Sequence, residues 1–267
     1  MLRRALSHPL ASTLDPDDPR APEVHRAIIR QKRALRDVYD EWYAALADAV
    51  GSRRPVFEIG SGAGYLADRL PGLVTSDVRA TPAARLVCDA LALPVRDGAL
   101  GALVMTNALH HLPDAGTFLH EAARAVRPGG RLAMIEPWVS SWSRFVYSRL
   151  HHEPFDPDAT AWSISGTGPL STANGALPWI MIVRDRQRFE REHPEWGIAA
   201  VQPGWPLRYL LSGGVSLRSL VPAAAAGVCR ALDRFLERRA DSWAMFALIV
   251  LERRETAATA AHSDTNV

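Results

Sequence analysis

The sequence predicts a single doubly wound α/β domain with a mostly parallel sheet of seven strands. Short β-rich runs alternate with helical or turn segments from residue 56 to residue 135, and this alternation is typical of a parallel sheet covered by helices on both faces. The chain has 267 residues, of which 48% are hydrophobic. It is therefore long enough to bury one core of this kind with some elaborations.

Seven apolar or β-branched runs are predicted as the strands. They cover residues 56–59, 73–77, 86–88, 100–106, 131–135, 198–202 and 243–251. Apolar residues at helical spacing predict one long helix, or two short ones, over 24–50. Further helices are predicted over 114–126 and over 217–239, the latter broken near Pro222. The run Arg127-Pro-Gly-Gly130 is expected to separate the helix over 114–126 from the strand that follows it.

Composition divides the chain into four parts. Residues 1–22 end in a stretch rich in Pro and Asp and are predicted as a flexible lead-in, and residues 256–267 as a disordered tail. Residues 23–255 form the single domain. Within it, residues 137–196 are rich in Trp, His, Pro and Gly, and such a long irregular insertion is expected to be a lid over an acceptor site.

The balance of charges and the cysteines exclude several classes of protein. The formal net charge is +2 with acids and bases interleaved, which disfavours a nucleic-acid partner. Cys88 and Cys229 show neither zinc-ligand nor disulfide spacing, so we expect no metal and a reducing compartment. No apolar stretch reaches membrane-spanning length uninterrupted. These observations predict a soluble cytoplasmic protein, and they leave a homodimer open.

A glycine-rich turn follows the first predicted strand. It reads Glu58-Ile-Gly60-Ser61-Gly62-Ala-Gly64, and glycines at such a turn let the backbone bend sharply and approach a ligand closely. A dinucleotide site favours G-x-G-x-x-G, which would place its third glycine at Tyr65. The G-x-G-x-G spacing found instead favours a nucleoside ligand without a pyrophosphate.

Two acidic residues close the next two predicted strands. Asp77 could accept hydrogen bonds from both hydroxyls of a ribose, and Asp89 could accept one from an adenine amino group. Both are expected at the carboxyl edge of the sheet, beside the point where the strand order reverses. Together with the glycine-rich turn they indicate an adenosine ligand.

Five motifs occur in a fixed order between residues 56 and 136. They are V-F-E-I-G-S-G-A-G, T-S-D-V, C-D-A-L-A-L-P, N-A-L-H-H-L-P-D and V-R-P-G-G-R-L. This series resembles the bacterial small-molecule branch of the class I, Rossmann-like methyltransferases that depend on S-adenosylmethionine. The resemblance implies an antiparallel hairpin at the sheet edge. It also implies that Glu58 lies near the amino-acid moiety of the cofactor, that Gly60, Ser61, Gly62 and Gly64 carry it, that Asp77 binds ribose, and that Asp89 and Ala90 meet adenine.

Methyl transfer from a sulfonium is a direct displacement, in which a hydroxyl acceptor must also lose its proton. His110 and His111 follow the fourth strand at the expected site of transfer, and imidazole titrates near neutrality, so one of them is a candidate base. Glu136, which ends the fifth strand, could orient that histidine. Asn107 is predicted to bind the cofactor, although it could also touch the acceptor. The alternative is that the His-His-Leu-Pro turn is a structural corner.

Three further residues are predicted to bind the acceptor: Trp138 by stacking, and His151 and His152, within the predicted lid, by lining the acceptor pocket. The expected reaction is O-methylation of a natural product or a saccharide, with S-adenosylhomocysteine as the second product. The first alternative is N-methylation of a natural-product amine. Two alternatives belong to other classes: a non-catalytic partner subunit, and a nicotinamide-dependent oxidoreductase, which the glycine spacing disfavours.

Overall fold

A seven-stranded sheet forms the centre of the protein. The computed structural model describes residues 7–11, 14, 15, 17–149, 153–166, 168 and 172–255. The strands are β1 (Val56–Ile59), β2 (Val74–Asp77), β3 (Leu86–Val87), β4 (Leu100–Thr106), β5 (Val126–Pro137), β6 (Trp196–Gly204) and β7 (Phe246–Arg253). Their order is β3-β2-β1-β4-β5-β7-β6, and β7 runs antiparallel to β5 and β6, whereas the other neighbouring strands are parallel. The predicted fold class and the edge hairpin are confirmed.

Nine helices accompany the sheet among the described residues. They are α1 (Ala21–Gln31), α2 (Arg33–Val50), α3 (Ala115–Ala125), α4 (Ser141–Arg149), α5 (Leu177–Trp179), α6 (Arg186–Glu192), α7 (Arg208–Ser212), α8 (Ala226–Glu237) and α9 (Ala240–Trp243). The N-terminal helical region is two helices, because Lys32 adopts an extended backbone between them. The carboxylate of Asp114 caps α3 by accepting a hydrogen bond from the main-chain N–H of Thr117. None of these helices is long and apolar enough to cross a bilayer.

Alternation along β4 creates two cores, one on each face of the sheet. Leu103 and Met105 pack into the cluster that contains Phe118 of α3. Ala102 and Val104 point the opposite way, into the cluster that contains Trp42 of α2. Because successive side chains of a strand alternate between faces, the apolar run of β4 is buried on both sides, as a central parallel strand requires.

The structure corrects the prediction for Arg127-Pro-Gly-Gly130, which lies within β5. The register between β4 and β5 shifts here, since Leu100 pairs with Val126 whereas Ala102 pairs with Arg131. A Cβ atom at Gly130 would lie 2.8 Å from the carbonyl oxygen of Gly101. The glycine therefore permits a close approach of two strands, and the run is an irregular part of the strand.

Two further predictions of secondary structure are corrected. The region 137–196 is more regular than predicted: it contains α4, α5 and α6, and residues 180–184 form a π-helical turn. The helix predicted over 217–239 starts later than expected. Residues 217–222 are not helical, residues 223–225 form a short 3-10 turn, and α8 follows. Much of the predicted lead-in, together with the predicted tail from residue 256, lies outside the described residues.

Candidate active site

The glycine-rich turn leaves the carboxyl end of β1 with three residues in the left-handed region. Gly60, Gly62 and Gly64 have φ values of 68°, 46° and 64°. A Cβ atom at Gly64 would lie 2.0 Å from the Cβ of Ala83, and one at Gly60 would lie 2.9 Å from the Cβ of Ala108. Backbone conformation and space therefore both require glycine at these two positions.

Asp77 holds this turn from the neighbouring strand. Its Oδ2 accepts a hydrogen bond of 3.0 Å from the main-chain N–H of Gly62, and its Oδ1 accepts one of 3.1 Å from the N–H of Arg79. A carboxylate oxygen can accept more than one hydrogen bond, so both oxygens keep capacity for a ligand. The structure thus brings the predicted ribose-binding residue to the predicted glycine-rich turn.

Four buried side-chain oxygens at this edge of the sheet have no hydrogen-bond partner within the described part of the chain. They are Glu58 Oε2, Ser61 Oγ, Thr106 Oγ1 and Asn107 Oδ1. A buried polar atom without a partner costs about 1–3 kcal/mol, so their concentration at the ends of adjacent strands points to a polar ligand. Thr106 was not predicted as a site residue. Its only signal in the sequence is a hydroxyl side chain at the end of an apolar run.

Glu58 is the most perturbed acid of the site. Burial, with the nearby negative charge of Asp77, raises the pKa of its carboxyl to about 8. The side chain is 2% exposed. A ligand that brings a positive charge or N–H donors to Oε2 would stabilise the ionised form, which fits the role implied for Glu58 beside an amino-acid moiety.

Asp89 and Ala90 lie beyond β3 and differ in exposure. Asp89 is exposed, and its Oδ1 accepts a hydrogen bond of 2.8 Å from the main-chain N–H of Leu91, as in a turn. Ala90 is buried against the apolar core. The other oxygen of Asp89 stays available, so its contact with adenine remains a prediction.

His110 is fixed by the end of β5. Its Nδ1 lies 2.6 Å from Oε2 of Glu136, and the two side chains are buried. The other oxygen of Glu136 accepts hydrogen bonds of 2.8 Å from the main-chain N–H groups of Ala108 and Leu109. Burial by itself would lower the pKa of His110, but the charge and the hydrogen bond of Glu136, together with the charge of Glu153, outweigh burial and raise that pKa above its usual value.

His111 is held differently, although its ring lies 4.2 Å from that of His110 between centroids. The main-chain carbonyl oxygen of Thr172 lies 3.0 Å from His111 Nδ1. A carbonyl oxygen can only accept, so Nδ1 carries the proton and a neutral His111 leaves Nε2 as an acceptor. Burial and then the charge of His110 lower the pKa of His111 to about 4.

The predicted acceptor residues have different outcomes. His151 and His152 lie outside the described residues. The side chain of the next residue, Glu153, reaches the site, with Oε2 3.9 Å from Nε2 of His110. Trp138 is 4% exposed and packs in the apolar core, and its stacking on an acceptor stays a prediction.

Comparison with known proteins finds a family match over part of the chain. Residues 57–134, from β1 into β5, match the family model described as a methyltransferase domain. This part of the chain is therefore similar to a methyltransferase domain. The match covers the glycine-rich turn, Asp77 and both histidines, so the site described above lies mostly within this domain.

The chain is similar to two curated bacterial proteins over part of its length. The chain is 44% identical over 46 residues to 27-O-demethylrifamycin SV methyltransferase from Amycolatopsis mediterranei, which is 17% of each chain. It is 30% identical over 120 residues to demethylmenaquinone methyltransferase from Beutenbergia cavernae, or 39% of this chain and 50% of that protein. The matches therefore span half or less of these relatives.

One solved structure is similar over most of the chain. It is geranyl diphosphate C-methyltransferase from Streptomyces coelicolor A3(2), in complex with Mg²⁺, geranyl diphosphate and S-adenosyl-L-homocysteine. The TM-score is 0.51 at 16% identity, and the alignment covers 90% of each chain. At this identity the similarity shows a shared fold.

Proposed function

We propose that this chain transfers a methyl group from S-adenosylmethionine to a hydroxyl oxygen of a polar small molecule, such as a natural product or a saccharide. His110 serves as the general base and S-adenosylhomocysteine is released. The observation that carries the proposal is the buried hydrogen bond between His110 and Glu136, at the same sheet edge as the glycine-rich turn. The free cysteines fit a reducing compartment such as the cytoplasm.

The residues present fit the cofactor. The three left-handed glycines leave a cradle that side chains would fill, and Glu58, Ser61 and Asn107 supply unpartnered oxygens. Asp77 retains acceptor capacity for the ribose hydroxyls. When bound, S-adenosylmethionine supplies both the methyl group and its own leaving group, so the protein has to position the acceptor and receive its proton.

His110 receives that proton at Nε2. Because Nδ1 donates to Glu136, the neutral imidazole has its lone pair on Nε2, and the carboxylate then stabilises the imidazolium that forms. His111 is the weaker base, since the pKa of its imidazole is lowered to about 4. His111 therefore helps to position the acceptor, and Thr172 keeps its ring in place.

A second candidate function is N-methylation, and Glu153 favours it. The gap of 3.9 Å between His110 Nε2 and Glu153 Oε2 allows one nitrogen of an amine to lie within about 2.8–3.0 Å of both atoms. An amine has several N–H groups and could donate to both, whereas a hydroxyl can donate to only one of them. The carboxylate would also attract a protonated amine.

Purified protein, a metabolite extract and cofactor labelled in its methyl group provide the test. We expect a labelled small molecule whose methyl group lies on oxygen, and identification of the product reads out the atom. A product methylated on nitrogen would select the second candidate. If calorimetry detects no binding of S-adenosylhomocysteine, both methylation proposals are overturned. Saturable binding of NADH in a protein that does not bind S-adenosylhomocysteine would favour the nicotinamide-dependent oxidoreductase. A protein that binds S-adenosylhomocysteine but turns over only when another protein is added would favour the non-catalytic partner subunit.

A further inference from the structure

A second group of metal-ligating side chains lies outside the candidate active site. It consists of His120 on α3, His193 at the end of α6 and Glu195 just before β6. One potential ligand atom from each residue lies within 4.8 Å of the others. Nδ1 of His120 is 3.3 Å from Oε1 of Glu195, and Nδ1 of His193 is 3.7 Å from the same oxygen. The two imidazole rings are 4.4 Å apart between centroids.

His193 presents an unsatisfied nitrogen in this group. Its side chain is 2% exposed, and Nδ1 is buried without a hydrogen-bond partner in the described structure. The distance of 3.7 Å to Glu195 is too long for a hydrogen bond. Leaving such an atom unpaired is unfavourable, so a buried imidazole that faces a carboxylate at this distance needs an explanation.

The main chain holds all three side chains in position. His120 lies at the middle of α3. The N–H of His193 donates to the carbonyl of Phe189, and the carbonyl of His193 accepts from the N–H of Trp196. The carbonyl of Glu195 accepts from the N–H of Arg254 in the extension of β7. The group is thus preorganised by a helix and by the sheet edge.

We propose that His120, His193 and Glu195 bind one transition-metal ion, with Zn²⁺ as the favoured species. Zinc bonds to histidine nitrogen and carboxylate oxygen measure about 2.0–2.2 Å, so two ligands of a tetrahedral site lie about 3.3–3.6 Å apart. The observed separation of 3.3 Å fits this spacing, and the separation of 3.7 Å exceeds it by about 0.1 Å. Two imidazoles and one carboxylate suit zinc, whereas magnesium and calcium prefer oxygen ligands alone.

Water completes the coordination, because the side chain of His120 is 61% exposed. The ion joins α3 to the segment between α6 and β6, where the chain returns from the 137–196 region to the sheet. It therefore braces the end of the predicted lid against the central fold. This inference is independent of the proposed methyl transfer.

Zinc titration of tag-free, chelator-treated protein tests the proposal through calorimetry and melting temperature. We expect saturable binding of Zn²⁺ that raises the melting temperature. The exposed His120 can be changed to Ala without opening the core, and His120→Ala should remove one bound ion together with the thermal shift. Glu195→Gln should weaken binding and gives a second, conservative variant.

His111→Ala is the matched control, because His110, His111 and Glu153 form the other group of potential metal ligands among the described residues. This variant should keep the ion that His120→Ala loses. Wild-type protein without saturable zinc binding would overturn the proposal. The proposal would also be overturned if His111→Ala lost the ion while His120→Ala kept it. Retention of the ion in both variants would overturn it as well, since the ion would then lie elsewhere.

Discussion

His110 Nδ1 lies 2.6 Å from Oε2 of Glu136, whose other oxygen accepts hydrogen bonds from the main chain at Ala108 and Leu109. One carboxylate at the end of β5 therefore orients the imidazole and also the turn that carries it. Such a carboxylate selects the tautomer with a proton on Nδ1 and stabilises the cation formed when Nε2 takes a proton.

Replacing His110 tests its role as the base. His110→Ala should lower kcat by about 10²–10⁴-fold while S-adenosylhomocysteine affinity stays nearly unchanged, because a positioned base acts in the transition state. His111→Ala should lose less, since the low pKa of His111 makes it a poor base. If His110→Ala keeps near-normal turnover and an unchanged circular dichroism spectrum, the His-His-Leu-Pro turn has a structural role and His110 is not the base.

Glu136 should control the pH dependence of the reaction. Only neutral His110 can act as a base, so kcat should rise as pH increases through the raised pKa of His110. Glu136→Gln removes the main interaction that raises this pKa and leaves the burial that lowers it, with only the smaller effect of the Glu153 charge to oppose burial. The acid limb of the kcat profile should therefore move to lower pH while the plateau falls. A profile that does not move would contradict coupling of the two residues.

Glu58 should make the protein without cofactor less stable at higher pH. The pKa of its carboxyl is about 8 in the folded protein, far above the usual value, so stability falls as pH rises from about 4.5 towards 8. Glu58→Gln should stabilise the ligand-free protein by about 1–3 kcal/mol at pH 8, with little gain at pH 4. Chemical denaturation at the two pH values measures this.

The same variant should bind S-adenosylhomocysteine more weakly, because the amide is neutral and loses one acceptor oxygen. Calorimetry with the ligand provides the check. Higher stability together with unchanged affinity would show that Glu58 is a strained core residue with no contact to the cofactor.

Gly64 should be the least replaceable glycine of the turn. Gly64→Ala places a Cβ atom 2.0 Å from that of Ala83 at a φ of 64°. Gly72→Ala is the matched control, since its φ is 79° and no atom of the described residues lies within 4 Å of the added Cβ. Gly72→Ala should cost about 1–2 kcal/mol through backbone strain alone. Chemical denaturation should show a larger loss of unfolding free energy in Gly64→Ala than in Gly72→Ala, and the difference measures the steric clash with Ala83. Equal losses in the two variants would contradict a steric effect at Gly64.

Asp77 and Asp89 should differ in their effect on cofactor affinity. Asp77→Ala should weaken binding by about 1–3 kcal/mol, because it leaves ribose hydroxyls unpaired and frees the N–H of Gly62. Asp89→Ala should have a smaller effect, since Asp89 is exposed and one of its oxygens already serves a turn. Equal losses would make the adenine contact as strong as the ribose contact, and an unchanged affinity in Asp77→Ala would remove that residue from the site.

The limits of β1 and β4 match the structure because their patterns are local, with short apolar runs bounded by turn residues. Prediction failed at Arg127-Pro-Gly-Gly130 for a physical reason. Proline and glycine usually end regular structure, but here Gly130 allows β5 to approach the backbone of Gly101 closely and stay paired. Sequence propensity cannot reveal a contact between two backbones that are distant in the chain.

The sequence by itself determined the sheet, the glycine-rich turn and the acidic residue at the end of β2, because side-chain alternation and glycine's backbone freedom act over a few residues. Only the tertiary structure decided which groups meet across the fold. Glu136 reaches His110 from 26 positions away, and the carbonyl of Thr172 holds His111 from 61 positions away. Packing likewise buried Trp138 and brought His120 to His193. These pairings depend on how helices and loops return to the sheet edge, which no local pattern specifies.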